Sequence, residues 1–275
     1  MKIAVIGLGL IGASLAKSLA GRAEITGIDR DPGVVDMAML DRVISRGGGD
    51  PSLASGCDMA VIALPVGSIV DAARSLLPHL GPDTPLTDTG STKARIAREI
   101  ESFWPCFVGS HPIAGKENPG YCASQSDLFA GRPCIITPGV HTQQECVRQV
   151  RQIWEACGSR VTIMDPMEHD RLMAVISHMP HLLSFASMGL AGDLHIHRGL
   201  LGAGFRDFTR IAASDPVMWR DIFLDNSGHI LKLLDNYVRE LGLMREIIGG
   251  RDASALEERL RTYSTIRRNL YEDNR

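Results

Sequence analysis

The sequence has little of what would carry it into a membrane, onto a nucleic acid or around a metal ion. No apolar run approaches the ~20 residues that a bilayer-spanning helix requires. Acidic and basic residues nearly balance, 32 against 29, for a net charge of −3. That leaves no basic footprint for nucleic acid or an anionic membrane surface. The six cysteines (Cys57, Cys106, Cys122, Cys134, Cys146, Cys157) are scattered and form no CxxC pair. They read as small core or surface residues in a reducing cytosol, so neither a disulfide framework nor a metal site is expected. The chain opens on a strand pattern rather than a signal peptide, and a cytoplasmic protein is expected. With 275 residues, 44% of them hydrophobic and 22% charged, there is room for two domains and a well-buried core.

Residues 3–12, IAVIGLGLIG, are the most informative segment: an apolar strand that runs straight into Gly7, Gly9 and Gly12. In a phosphate-binding turn the first glycine permits the tight bend, the second admits a pyrophosphate to the backbone, and the third lets helix pack on strand. Leu10 and Ile11 then open a helix whose free N–H groups and positive dipole end suit an anion. The next strand ends in Asp29, 17 residues after Gly12, close to the spacing of a carboxylate that binds a ribose diol. A carboxylate there repels a 2′-phosphate and favours NAD. Arg30, immediately after, keeps NADP open. The competing reading is a glycine-rich turn that binds nothing, against which the position of Asp29 argues.

Further apolar runs at 57–65, 85–90, 106–112, 133–138 and 160–165 alternate with helical stretches over the first 165 residues. The expected fold is therefore α/β: an N-terminal, doubly wound, mostly parallel Rossmann-type sheet over 1–165, followed by an all-α domain over 166–275. Residues 115–132 read as a loop near the site. A greasy helix over 167–191 is expected to be buried and kinked at Pro180. Ser214-Asp215-Pro216 reads as a helix start, with the helix running to about Ile248. Its apolar positions Ile230, Leu234, Tyr237, Leu241, Met244 and Ile248 form a 4-3-4-3-4 seam, and a last helix carries Leu256, Leu260, Tyr263, Ile266 and Leu270. So long a seam has few partners within one chain, and a homodimer is expected.

Ligands in this architecture sit at the carboxyl ends of the strands. Leu64 and Pro65 end one strand, where backbone passes a cofactor. Ser91 follows another and reads equally as the cap of the helix ARIAREIE or as cap plus substrate contact. His111 ends a third, flanked by Ser110 and Pro112, with no apolar face to pack on. Its ordinary pKa suits proton transfer at neutral pH. The helical half adds His178 and His181, then Arg206, Asp207 and Arg210, then Trp219. Arginine is the side chain best shaped to fork a carboxylate. His169 and Asp170 read as a helix-start cap only. The chemistry indicated is hydride removal from a hydroxyl-bearing carbon of a small anionic substrate.

GLGLIGASLA at the start, DTGSTK (88–93), GSHPIAG (109–115), ISHMPH (176–181) and GFRDFTRIAASDPVMW (204–219) together resemble the prephenate/arogenate dehydrogenase family of tyrosine biosynthesis. The resemblance implies oxidative decarboxylation of a cyclohexadienyl substrate by NAD or NADP, giving 4-hydroxyphenylpyruvate or tyrosine. It implies His111 as the catalytic histidine, Ser91 as its partner, His178 beside the substrate and Arg210 on a substrate carboxylate. Asp207 and Trp219 match pocket positions. Because the chain ends at Arg275 without an appended domain, any feedback by tyrosine is expected at the active site. Two other readings stay open. A β-hydroxyacid dehydrogenase would need a catalytic lysine early in the helical half, and 166–181 contains none. A non-catalytic NAD-binding redox-sensor dimer would not need His111 and Arg210 to face each other.

Overall fold

The computed structural model describes residues 1–116, 118–192 and 200–272. They divide into two compact units, Met1–Ser227 and Gly228–Arg275. The sequence places a domain boundary at 165/166, whereas this division of the backbone falls after residue 227.

Eight strands form one sheet in the first unit: β1 (Lys2–Ile6), β2 (Glu24–Ile28), β3 (Arg46–Gly48), β4 (Met59–Ile62), β5 (Leu86–Asp88), β6 (Phe107–Pro112), β7 (Pro133–Pro138) and β8 (Arg160–Ile163). Their order is β3-β2-β1-β4-β5-β6-β7-β8. All neighbours pair in parallel except β6 with β7. The strand β3, RGG, carries no apolar signal and was invisible to periodicity. The central strands are apolar without alternation, because helices cover both faces. Those helices are α1 (Leu10–Ser18), α2 (Pro32–Leu40), α3 (Ile69–Leu76), α4 (Ala94–Glu101) and α5 (Gln144–Ala156). Strand order reverses between β1 and β4, so right-handed crossovers on the two sides leave a crevice at their carboxyl ends.

The segment after β6 is a loop with one short 3₁₀ turn (Tyr121–Ala123), and it is packed onto the domain. Tyr121 and Phe129 are buried. The Tyr121 hydroxyl donates to Asp41 at 2.8 Å, and the Gln125 N–H donates to the Ser14 hydroxyl of α1 at 3.0 Å.

Beyond β8 the first unit is helical: α6 (Pro166–Met173), α7 (Met179–Gly192), α8 (Ala203–Thr209) and α9 (Pro216–Asp225). Asp165 caps α6 through the N–H groups of Met167 and Glu168, and Asp215 caps α9 through those of Val217 and Met218. Between α6 and α7 lies one π-helical turn, Ala174–His178. Pro180, which lacks an N–H to donate to the preceding turn, follows it as the second residue of α7. The expectation of a buried helix needs correction. In α7 only Met179 and Ser184 are buried; Leu190 is 78% exposed, and Ile176 of the π-helical turn is 58% exposed. Greasiness on most faces here marks surface that this chain alone does not cover.

A second correction concerns the helix from Pro216. It stops at Asn226, and α10 (Ser227–Gly249) begins immediately afterwards. The second unit consists of α10 from Gly228 onward and α11 (Ala253–Glu272). Asp252 caps α11 through Ala255, and Arg259 bridges to Glu240 at 2.9 Å. Of the seam residues, Ile230 is buried, but Leu241 and Ile248 are exposed, as are Leu260, Ile266 and Leu270 of α11.

The glycine turn ties α1 to β1. Gly7 has φ +92°, and a Cβ on Gly12 would stand 1.9 Å from the Gly7 carbonyl oxygen. A Cβ on Gly9 would meet nothing within 4 Å. Gly12→Ala is therefore expected to lower urea stability by about 1–3 kcal/mol, and Gly9→Ala to change it by less than ~0.5 kcal/mol. Denaturation midpoints of the two variants check the contrast.

Candidate active site

At the carboxyl rim of β1 and β4, Gly9 is the N-cap of α1 and makes no side-chain cap bond. The N–H groups of the first turn thus point into the open space over Gly9. Leu64 lies against the turn, within 2.8 Å of where a Gly7 Cβ would be, and Pro65 is exposed beside it. Asp29 is held rigidly: one carboxylate oxygen accepts from Leu8 N–H at 2.7 Å, the other from Asp31 N–H at 2.9 Å. Lone pairs remain for a diol. Arg30 is exposed next to it. The glycine cradle, the uncapped helix start and the fixed carboxylate fit a dinucleotide.

Two strands away, Lys93 and Asp88 form an ion pair with both side chains fully buried. The Lys93 ammonium also donates to the Ser110 carbonyl at 2.8 Å, and Asp88 accepts the Ser110 N–H at 3.1 Å. The pair pins the end of β6, and so His111, to the β5–α4 loop. That loop also grips the helical segment. Asp170 of α6 accepts the backbone N–H of Lys93 at 2.8 Å and of Ala94 at 2.9 Å. Thr92 donates to Asp225 of α9 at 2.6 Å, and Arg95 pairs with the same carboxylate.

Asp170 therefore does for α4 what Ser91 was expected to do. Lys93, not Ser91, is the N-cap residue, and it makes no side-chain cap bond. A carboxylate from another helix meets the orphan donors instead. Ser91 is half-buried with its backbone beside His178. It is thus released from capping.

His111 lies at the end of β6, and its Nδ1 is 2.9 Å from Nε2 of His169. Nδ1 of His169 is 2.8 Å from the Asp170 carboxylate. Burial lowers the pKa of His111 well below the usual imidazole value, reinforced by the nearby His169, Lys93 and His178. Burial also lowers His169, against the opposing pull of Asp170. In Asp170 burial opposes ionisation, but the hydrogen bonds from His169, Ala94 and Lys93 outweigh it and hold the carboxyl below its ordinary range.

Opposite stands His178, which closes the π-helical turn and is 1% exposed. Asn226 donates to the Asp170 carbonyl at 2.8 Å and to His178 Nδ1 at 3.0 Å. Both amide hydrogens are then used, so His178 Nδ1 accepts and Nε2 carries the proton. Burial pushes the His178 pKa down to about 4. Its Nε2 is buried without a hydrogen bond, as is Nε1 of Trp219, whose ring lies edge-on 6.2 Å away. The Ser91 backbone pulls the His178 pKa up against burial, so one backbone acceptor stands beside that ring, whereas Trp219 Nε1 is left without a partner among the described residues. His181 stacks on Trp219 at 3.6 Å, and Arg210 lies close enough to depress the His181 pKa further below what burial sets. Arg210 itself is exposed, following α8. Arg206 is exposed and donates to the Leu201 carbonyl. Asp207 is exposed on α8, and among the described residues no hydrogen bond or ion pair joins it to the histidines.

His111, His178 and Trp219 thus come together, with Arg210 reaching the group through His181. Sequence reasoning missed His169, Asp170 and Asn226. An adjacent His-Asp pair gives no periodic signal, but the run Asp225-Asn226-Ser227-Gly228 is rich in helix-interrupting residues and marked the break.

Among the described residues no cluster of His, Cys, Asp and Glu has the makings of a metal site, and no helix is long and apolar enough to cross a membrane. The model of the prephenate dehydrogenase nucleotide-binding domain matches residues 13–163, and that of the prephenate dehydrogenase dimerization domain matches 165–262. The chain belongs to the prephenate dehydrogenase family. Cyclohexadienyl dehydrogenase of Zymomonas mobilis is 32% identical over 99% of this chain and 97% of its own. Prephenate dehydrogenase of Bacillus subtilis is 34% identical over 98% and 76%. Among solved structures, prephenate dehydrogenase of A. aeolicus in complex with hydroxyphenyl propionate and NAD+ superposes with a TM-score of 0.92 at 32% identity, covering 98% of each chain. Arogenate dehydrogenase of Synechocystis gives 0.87 at 29%, covering 98% and 100%.

Two outcomes follow for this prephenate dehydrogenase family member. A histidine whose folded pKa lies below its unfolded value gives stability that is complete above about pH 6.5 and lost as pH falls toward 4. For His178 alone the loss is about 3 kcal/mol, and His111 and His169 act in the same direction. Thermal melts across that window should show the fall, with a shallower slope in His178→Gln. Lys93→Met strands a buried Asp88 and is expected to cost about 3–5 kcal/mol, with Asp88→Asn/Lys93→Met recovering part of it. Urea melts of the single and double variants test this.

Proposed function

We propose that this chain is an NAD-dependent dehydrogenase that oxidatively decarboxylates prephenate, arogenate or both. The supporting observation is the convergence of His111, at the sheet rim, with the buried N–H groups of His178 and Trp219. In this reading residues 1–165 bind the dinucleotide and 166–275 complete the substrate site and form the homodimer of a cytosolic enzyme. The exposed apolar residues of α7, α10 and α11 support the dimer, as does the dimerization-domain match.

Gly7, Gly9, Gly12, Leu10 and Ile11 form the pyrophosphate turn, and Leu64 and Pro65 wall it. Asp29 takes the ribose diol. Because both its oxygens are held by backbone donors, it cannot swing away to let Arg30 embrace a 2′-phosphate, which favours NAD. When bound, NAD+ supplies the hydride acceptor. His111 takes or shares the hydroxyl proton of the ring carbon that loses hydride. The carboxylated ring carbon releases CO2, the electron pair of the broken C–C bond completes the aromatic ring, and the proton returns to the oxygen as a phenol. Ser91 assists at the same hydroxyl. The N–H groups of His178 and Trp219 meet substrate oxygens, and Arg210 grips a carboxylate at the more exposed end, with Asp207 at the pocket edge.

The direct test is reduction of NAD+ on addition of prephenate or arogenate, followed by absorbance. No reduction with either would reject the reading. His111→Asn should keep NAD binding while kcat falls roughly 10²–10⁴-fold, and Arg210→Gln should chiefly raise KM. Steady-state kinetics of both variants separate the two roles.

A further inference from the structure

We infer that His169 and Asp170 are positioning residues that lock His111 into the tautomer with a bare Nε2, ready to accept the substrate hydroxyl proton. The inference rests on the functional reading above for its chemistry, but its structural content stands independently.

The direction of each hydrogen bond follows from the one before it. An ionised carboxylate only accepts. Asp170 takes three N–H groups: from Lys93 and Ala94 at the start of α4 and from Nδ1 of His169. His169 therefore carries its proton on Nδ1. Buried and neutral, it offers a lone pair on Nε2. His111 Nδ1, 2.9 Å away, must then be the donor, which leaves Nε2 of His111 unprotonated. That nitrogen makes no hydrogen bond among the described residues and is not sealed from solvent. The alternative tautomer of His111 would set two lone pairs against each other across the His111–His169 contact.

The surroundings leave the chain no other route. Lys93 is neutralised by Asp88 and Ser110, and so is not a rival donor to either ring. His178 is held by Asn226 with its proton on Nε2. Cys134 of β7 stays a neutral thiol, because burial raises its pKa. The arrangement resembles the hydrolase logic in which a buried carboxylate orients a catalytic imidazole, with a second imidazole inserted between the two. Asp170 is fixed by the dipole end of α4 rather than by its own helix, so the orienting group is as rigid as the sheet. As His111 gains a proton, its Nδ1–H bond to His169 strengthens, and His169 in turn leans on Asp170. The chain thus fixes which nitrogen takes the proton, while burial keeps His111 neutral until it does.

The test has two independent parts. In the ligand-free wild-type protein at a pH above about 7, long-range ¹H–¹⁵N spectra of ¹⁵N-histidine-labelled protein, assigned through His111→Asn and His169→Gln, report the tautomers. Nδ1–H on both rings is expected, and Nε2–H on His111 overturns the inference whatever the enzyme acts on. In kinetics, His169→Leu removes the acceptor and is expected to lower kcat about 10²-fold with substrate KM nearly unchanged. His169→Gln presents an amide oxygen to His111 and an amide N–H to Asp170, so it is expected to recover kcat to within about tenfold of wild type. A His169→Gln variant no better than His169→Leu, with both folded by thermal melt, counts against the inference. Wild-type protein inactive on prephenate and arogenate would instead sink the functional reading, leaving the spectra to decide the tautomer. Asp170→Asn is a poor probe, since it also uncaps α4.

Discussion

A single carboxylate, that of Asp170, holds the two halves of the site together. It lies at the N-terminus of α4, a helix from the sheet domain, while belonging to α6 of the helical segment. The same oxygens face His169. Helix capping, docking of the segment and orientation of an imidazole are therefore one interaction, and none can be relaxed without the others. Asp225 repeats the theme one turn of loop away, held by Thr92 and Arg95. The β5–α4 loop is thus a clasp, closed by carboxylates reaching in from two different helices.

Burial sets the electrical character of the cleft. Three imidazoles lie within it, and all are kept neutral because a charged ring there would be stripped of water. The ion pair of Lys93 with Asp88 is sealed and directed at backbone. A neutral, donor-rich wall suits the anionic substrate proposed above. Burial also keeps His111 in the form able to take a proton at neutral pH.

The alternation of apolar runs with helices sufficed to place seven strands of the sheet and the glycine turn, because buried parallel strands and phosphate turns impose strong local composition. Strand β3 escaped, since RGG pairs through backbone alone. His111, His178 and Trp219 were legible as polar or aromatic residues in odd settings. Ser91 was misread as a cap because local propensity carries no word of a distant Asp170. Asn226 was hidden because the stretch from Pro216 to Ile248 reads as one helix, whereas the seam from Ile230 to Ile248 lies wholly in α10. His169 and Asp170 looked like ordinary helix-start residues, and only tertiary packing shows which rings they face. The greasy 167–191 stretch had the right composition for burial, yet the chain by itself leaves much of it bare.

The pinning of Asp29 has a bearing on how cofactor preference could change in descent or by design. The side chain proposed to screen out a 2′-phosphate also closes the turn, by accepting from Leu8 on one side and Asp31 on the other. Swapping it for a small neutral residue, the obvious route to relaxed selectivity, would strand two amide hydrogens at the mouth of the fold's central crevice. On the proposed reading, discrimination between the two nicotinamide pools is thus welded to the architecture of the first crossover. A lineage that wanted the phosphorylated form would have to rebuild the loop after β2, not simply exchange one acid.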